Sequence, residues 1–174
     1  MKIIRIVLTL VILILGFFLY KGIKDPINFE KEKKFRYSKV IDRLKDIRTA
    51  QLAYKSEKGE FAPDFNTLTD FLKAGTITVI KQIGNPDDSL AVVIRDTILV
   101  SVKDSLFPGQ PWRIDSLPYV PFGDGARFEM QAGKIEKGKV MVNVFEAIDS
   151  KPFDPKQVLK VGSMTEPSNA GNWE

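Results

Sequence analysis

The chain has 174 residues, a formal net charge of +4, and neither cysteine nor histidine. Without cysteine there are no disulfides, zinc–thiolate sites or thiol catalysis, and without histidine the commonest general base and transition-metal ligand are gone. No catalytic, cofactor-binding or metal-binding residues are therefore predicted, and neither an enzymatic role nor a small-molecule substrate is expected.

The charge is unevenly placed. Residues 1–20 carry +2, residues 21–58 carry 12 basic and six acidic side chains for +6, and residues 59–174 make up the balance at −4. A basic stretch beside an apolar one is explained by anionic lipid headgroups. The remainder is mildly acidic, and no nucleic-acid partner is expected.

Ile3 to Tyr20 reads IIRIVLTLVILILGFFLY, with Arg5 as its single charge. Eighteen residues at helical rise span roughly 27 Å, enough for a hydrocarbon core. Ile3, Val7, Leu10, Leu13, Phe17 and Phe18 are the expected lipid-facing anchors. The bulky Phe17-Phe18-Leu19-Tyr20 offers no small-residue cleavage site, so residues 1–24 read as an uncleaved signal anchor with the lipid bilayer as its partner. Lys and Arg crowd the C-terminal flank, which taken alone would hold the following domain in the cytoplasm. A basic start before the apolar run argues for translocation. The expectation is a single-pass protein of a bacterial inner (cytoplasmic) membrane with its head in the periplasm.

Asp25-Pro26 predicts a break, because proline lacks an N–H and disfavours helix in the residue before it. Asn28 is then a candidate cap for a second helix within a stem of residues 25–58. Tyr37, Ile41, Leu44, Ile47 and Tyr54, with Val40 and Gln51, recur at spacings of three and four, the stripe of one helical face. Asp42, Lys45 and Asp46 fall on the opposite face, expected to be solvated. Lys58-Gly59 ends the helix, and Asn66 or Thr67 is expected to start a short second one closed by Gly75.

The order of these features carries a resemblance. An apolar span, a proline at its exit and an amphipathic helix are followed by Ala50-Gln51-Leu52-Ala53-Tyr54, then Gly59-Glu60-Phe61-Ala62-Pro63 and a helix bearing Leu68, Phe71 and Leu72. Over roughly residues 1–75 this resembles type IV pilins and the pseudopilins of type II secretion. The resemblance implies a long N-terminal helix packed on an antiparallel sheet, no catalysis, and partners among other envelope-machine proteins or like subunits. It implies that Tyr54 and Phe61 close the end of the sheet-facing groove. The chain departs from the family in two respects: pilins are processed after a Gly that precedes the apolar run, whereas Gly16 lies inside this one, and the position of the Glu that pairs with a neighbouring subunit's amine in a mature pilin is not recoverable, with Arg5 the nearby charge. An alternative architecture is a membrane-tethered binding module, or an alignment or scaffold protein with a ferredoxin-like head.

After Gly75 the period becomes two. Thr76 to Ile83 reads as a strand and Gly84-Asn85-Pro86-Asp87-Asp88 as a turn. Leu90–Ile94 and Thr97–Lys103, joined at Arg95-Asp96, are predicted to form a hairpin. Phe107 to Phe122 holds four prolines, so it reads as an irregular excursion with a short edge strand at Trp112–Ile114 or Pro118–Val120. Arg127–Ala132 and Val140–Ala147 flank a Gly138 turn and predict a second hairpin. A last short strand is expected at Gln157–Val161. The head, residues 59–161, is thus predicted as α+β with an antiparallel sheet.

Asp87-Asp88 and Gly123-Asp124-Gly125 lack the ligand spacing of a calcium loop and read as turns. Ser101, Lys103 and Ser105 have no hydrolase motif around them. Trp112, Tyr119 and Phe122, on the proline-held excursion, and Trp173, in a polar tail of residues 162–174, are the expected partner contacts. The end of that tail is expected to be disordered.

Overall fold

A computed structural model describes residues 2–83 and 94–174. It shows an α+β protein with one long N-terminal helix and small antiparallel sheets. The chain divides between Ser38 and Lys39 into two compact units.

The described residues of the first unit are all helical, being the N-terminal part of α1 (Lys2–Lys58). Its large apolar residues from Ile3 to Tyr20 are between 46% and 77% exposed. Among the described residues this helix alone is long and apolar enough to cross a membrane. Pro26 does not break it, contrary to the expectation at Asp25-Pro26, and Asn28 is therefore interior and not a cap. Only one backbone bond is forgone, the one an N–H at position 26 would make to the carbonyl of Gly22. Beyond the apolar run the surface is mixed: Ile23, Ile27, Phe29 and Phe35 are exposed among charged side chains, with Arg36 paired to Glu32 one turn away and the Lys33 ammonium over the Tyr37 ring.

The second unit begins with the rest of α1. Val40, Leu44, Ile47, Ala50 and Gln51 are buried at intervals of one to four residues, the stripe that faces the core. The helix stops at Gly59, whose φ of +81° needs no Cβ and lets its N–H reach the carbonyl of Lys55. α2 (Phe65–Ala74) begins one residue earlier than the earlier of the two expected starts. Asp64 caps it by accepting the N–H of Thr67, which holds the Asp64 carboxyl below its usual range. Phe65, Leu68, Phe71 and Leu72 of α2 are buried, and Tyr54 meets Phe71 edge-on at 5.1 Å.

β1 (Thr76–Ile83) pairs antiparallel with β2 (Ile94–Ser101), from Thr76 opposite Ser101 to Ile83 opposite Ile94. This corrects the hairpin expected around Arg95-Asp96: both residues lie inside β2, opposite Gln82 and Lys81. Arg-Asp has no residue suited to the positive φ of a tight hairpin turn. The turn expected at Gly84–Asp88 and the strand residues Leu90–Val93 lie outside the described residues. Val102–Leu106, expected in part as strand, is the short helix α3, started as the Val102 N–H turns to the carbonyl of Gly75. Trp112–Ser116 is α4, a helix and not an edge strand, because Pro111 presets a helical φ at its entrance. The second edge position survives as a single bridge between Tyr119 and Arg127.

β3 (Glu129–Lys137) and β4 (Val140–Ile148) form the expected second hairpin. Its turn is Gly138-Lys139, both at positive φ (58° and 68°), the geometry that matches strand twist. β5 (Lys160–Gly162) pairs with β4 and is shorter and later than the strand expected at Gln157–Val161. The described strands form a two-stranded and a three-stranded sheet, where one sheet was expected. That division also departs from the single four-stranded sheet of a ferredoxin-like head.

Phe145 and Ala147 are buried on one face of β4, where the Phe61 ring meets that of Phe145 at a tilt of 50°, centroids 4.7 Å apart. On the other face the Met164 methyl lies over Gly133, opposite Val144. The tail is docked and not disordered. Asn172 makes three bonds with its neighbours: its side chain accepts from Lys160 N and donates to Val158 O, and its own N–H donates to Lys160 O. Gly162 N–H bonds Ala170 O, and Glu174 pairs with Arg48 at 2.7 Å, which lowers the Glu174 carboxyl below its usual range.

Candidate functional site

Two polar arrangements in the second unit are built by long-range pairing. In the first, Gln51 sits fully buried on the stripe of α1 and treats Ala62 as a backbone partner. Its Nε2 donates to Ala62 O at 3.0 Å, its Oε1 accepts Ala62 N–H at 2.9 Å, and Nε2 also lies 3.1 Å from Met130 Sδ on β3. Asn143 on β4 adds a bond to Gly59 O at 2.6 Å. These contacts fasten the chain reversal after α1 to the three-stranded sheet. They are structural.

The second arrangement is a cleft of about 390 Å³ between the start of this helix segment and the proline-held excursion. From the helix come Lys39, Asp42, Arg43 and Asp46, which at i, i+3, i+4 and i+7 share one face. From the excursion come Gln110, Trp112, Arg113, Pro121 and Phe122. Asp46, expected on a solvated face, is instead paired with Arg113 and mostly covered. Arg43 donates from Nη1 to the carbonyl of Ser116 at the end of α4. That bond and the Asp46–Arg113 pair hold α4 to the helix.

Trp112 and Phe122 are 61% and 51% exposed, and both follow a proline. Phe122 has a φ of +61°, an uncommon conformation for a bulky side chain. The turn that fixes it is closed by Gly123 N–H to Val120 O, Ala126 N–H to Gly123 O and Val120 N–H to Ala126 O. A Cβ on Gly123 would come within 3.0 Å of Val120, so the turn is packed tightly from beneath. Strain of this kind persists where the surrounding structure enforces it. Here it directs an aromatic ring to the cleft.

Three cations and two carboxylates line the cleft. Asp46 serves Arg113. Among the described residues no carboxylate lies within ion-pair distance of Arg43, which is half-buried, and burial lowers its pKa against the opposing pull of Asp46. Asp42 and Lys39 make no ion pair among the described residues and are exposed.

Of the four aromatics expected to meet partners, Trp112 and Phe122 come together at this cleft. Tyr119 does not line it: the Arg127 guanidinium covers its ring at 5.2 Å and bonds its hydroxyl. Trp173 lies against Gly171, half-buried, with its indole N–H buried and unpartnered. The charged half of the cleft was missed in the sequence because Asp46 and Arg113 lie 67 positions apart. The i, i+4 pairs Lys39/Arg43 and Asp42/Asp46 were its visible signal. The expected stem residues Leu44 and Ile47 are fully buried, Tyr37 is nearly so, and Ile41 and Tyr54 are half-buried. The expected anchors Ile3, Val7, Leu10, Leu13, Phe17 and Phe18 are all exposed.

Compared with known proteins, the chain matches no protein-family model, no curated protein and no solved structure.

Proposed function

We propose that this protein is a non-catalytic, single-pass component of a bacterial type IV pilus-like or type II secretion-like envelope assembly. It is held in the inner membrane by residues 3–20, presents a pilin-like head on the periplasmic side, and acts through protein–protein contacts. The observation that carries this reading is the change of environment along one helix. From Ile3 to Tyr20 apolar side chains are exposed all round, which suits lipid. From Val40 to Gln51 one stripe is buried within the second unit. The pilin-like head is supported by the way the helix end is fastened to an antiparallel sheet, through Gln51 to Met130 and Asn143 to Gly59. The absence of His and Cys from the sequence supports a role without catalysis.

Purification of the tagged full chain from detergent-solubilised membranes, followed by identification of what travels with it, tests the proposal. An assembly ATPase, a polytopic platform protein or like subunits are the expected companions. A lone monomer would sink it.

A further inference from the structure

The cleft is arranged to hold a particular kind of partner. Arg113 is neutralised by Asp46, whereas Arg43 spends one donor on the neutral carbonyl of Ser116 and has no carboxylate within ion-pair distance among the described residues. A guanidinium carries five N–H donors, and a half-buried one gains most from an arriving carboxylate. Lys39, four residues before Arg43 on the same helix face, adds a second, exposed cation. Asp42 and Asp46 limit how much negative charge the cleft tolerates, which disfavours a polyanion such as nucleic acid. Trp112 and Phe122 supply apolar walls at fixed positions, and rigid aromatics beside an arginine are the side chains that dominate protein interfaces. A volume of about 390 Å³ suits a few side chains and is small for a folded element.

We propose that this cleft binds a segment of a partner protein in which a carboxylate stands beside a bulky apolar side chain. The carboxylate pairs with Arg43 and Lys39, and the apolar side chain lodges between Trp112 and Phe122. This deepens the reading of the protein as one that acts through protein contacts, and rests on it for the partner being a protein.

The test uses the full chain in detergent micelles and a short fluorescein-labelled peptide alternating Glu with Leu and Phe, with Gln-for-Glu and Lys-for-Glu versions as controls. Fluorescence anisotropy is expected to give saturable binding of the Glu peptide, weaker by roughly tenfold or more for either control. Arg43→Gln and Trp112→Ala are each expected to weaken it by a similar factor. Because Arg43 also holds α4, Lys39→Gln serves as the variant that breaks no bond within the head, with an expected loss of several-fold. Equal binding of the Glu and Gln peptides, binding unchanged in both Arg43→Gln and Lys39→Gln, or no binding of the Glu peptide up to about 1 mM would each overturn the proposal. Sedimentation of the same protein with membranes is read separately. A chain that binds the peptide but washes off membranes refutes the anchored-component reading and leaves the cleft standing.

Discussion

Replacing Gln51 by Leu tests how the long helix is joined to the head. Leu is close to Gln in size, so the packing of the stripe is kept while both hydrogen bonds to Ala62 are lost. Ala62 is fully buried, and water cannot replace them. Each orphaned backbone group costs about 1–3 kcal/mol, giving about 4 kcal/mol for the pair. Better burial of the apolar side chain returns on the order of 1 kcal/mol, leaving a net loss of about 3 kcal/mol. Gln51→Glu separates this from a loss of packing. Its carboxylate can accept the Ala62 N–H, but it turns a second oxygen on the Ala62 carbonyl and places a charge in a dry site. The Glu variant is therefore expected to be the weaker of the two at neutral pH and to recover on acidification, when the protonated acid can donate to that carbonyl. Urea unfolding in micelles, followed by the fluorescence of Trp112 and Trp173, reads the change as a shift in midpoint. Hydrogen exchange at the Ala62 amide should accelerate in Gln51→Leu. A loss below about 0.5 kcal/mol, the level of an ordinary surface change, with Ala62 still protected, would refute the reasoning.

Asp149 is buried, and burial raises its carboxyl pKa above 3.8. A group with a raised folded pKa favours the native state below its unfolded value and loses that contribution as pH climbs through the folded one. Asp149→Asn, which keeps an acceptor for the Lys151 N–H, should flatten this part of the stability–pH profile and leave the protein at least as stable at pH 7; a steeper profile would contradict the assignment. Phe122→Gly relieves the positive φ and should stabilise the fold by up to about 1 kcal/mol after glycine's unfolded-state entropy is offset, seen as a higher unfolding midpoint, while weakening acidic-peptide binding as Trp112→Ala does; a loss of stability would mean that the ring packs more than it strains. Gly162→Ala should cost more than about 1 kcal/mol, since φ is +77° and a Cβ would strike the Phe145 carbonyl at 2.2 Å. A wild-type melting curve for that variant would refute the register of β5 on β4.

Elements whose cause is local were legible in the sequence. The long apolar helix at the N-terminus is a matter of composition over one short window, and the β3–β4 hairpin follows from Gly138 between two alternating runs. Gly59 ended the helix where expected because its positive φ is a local demand. Pro26 misled because a proline costs one bond in a helix held by many others. Arg95-Asp96 misled because a polar pair between apolar runs looks like a turn even when it lies inside a strand. The five-residue helices α3 and α4 have too little intrinsic helix preference to announce themselves, and rest on tertiary bonds such as that of Arg43 to Ser116. The docked tail depends on Asn172 meeting Lys160 and Val158, and a single Asn in a polar stretch advertises nothing of the kind. The cleft was half visible, as aromatics beside prolines. Its charges come from a helix face that reads as ordinary solvated surface until the excursion folds onto it.

The proposed function requires residues 3–20 to hold the chain in a membrane with the head beyond it. A C-terminal fusion to alkaline phosphatase, assayed in intact bacteria and in membranes washed with alkaline carbonate, measures both at once. Active phosphatase that stays with the washed membranes is expected. Inactive phosphatase, or activity released into the wash, would contradict it.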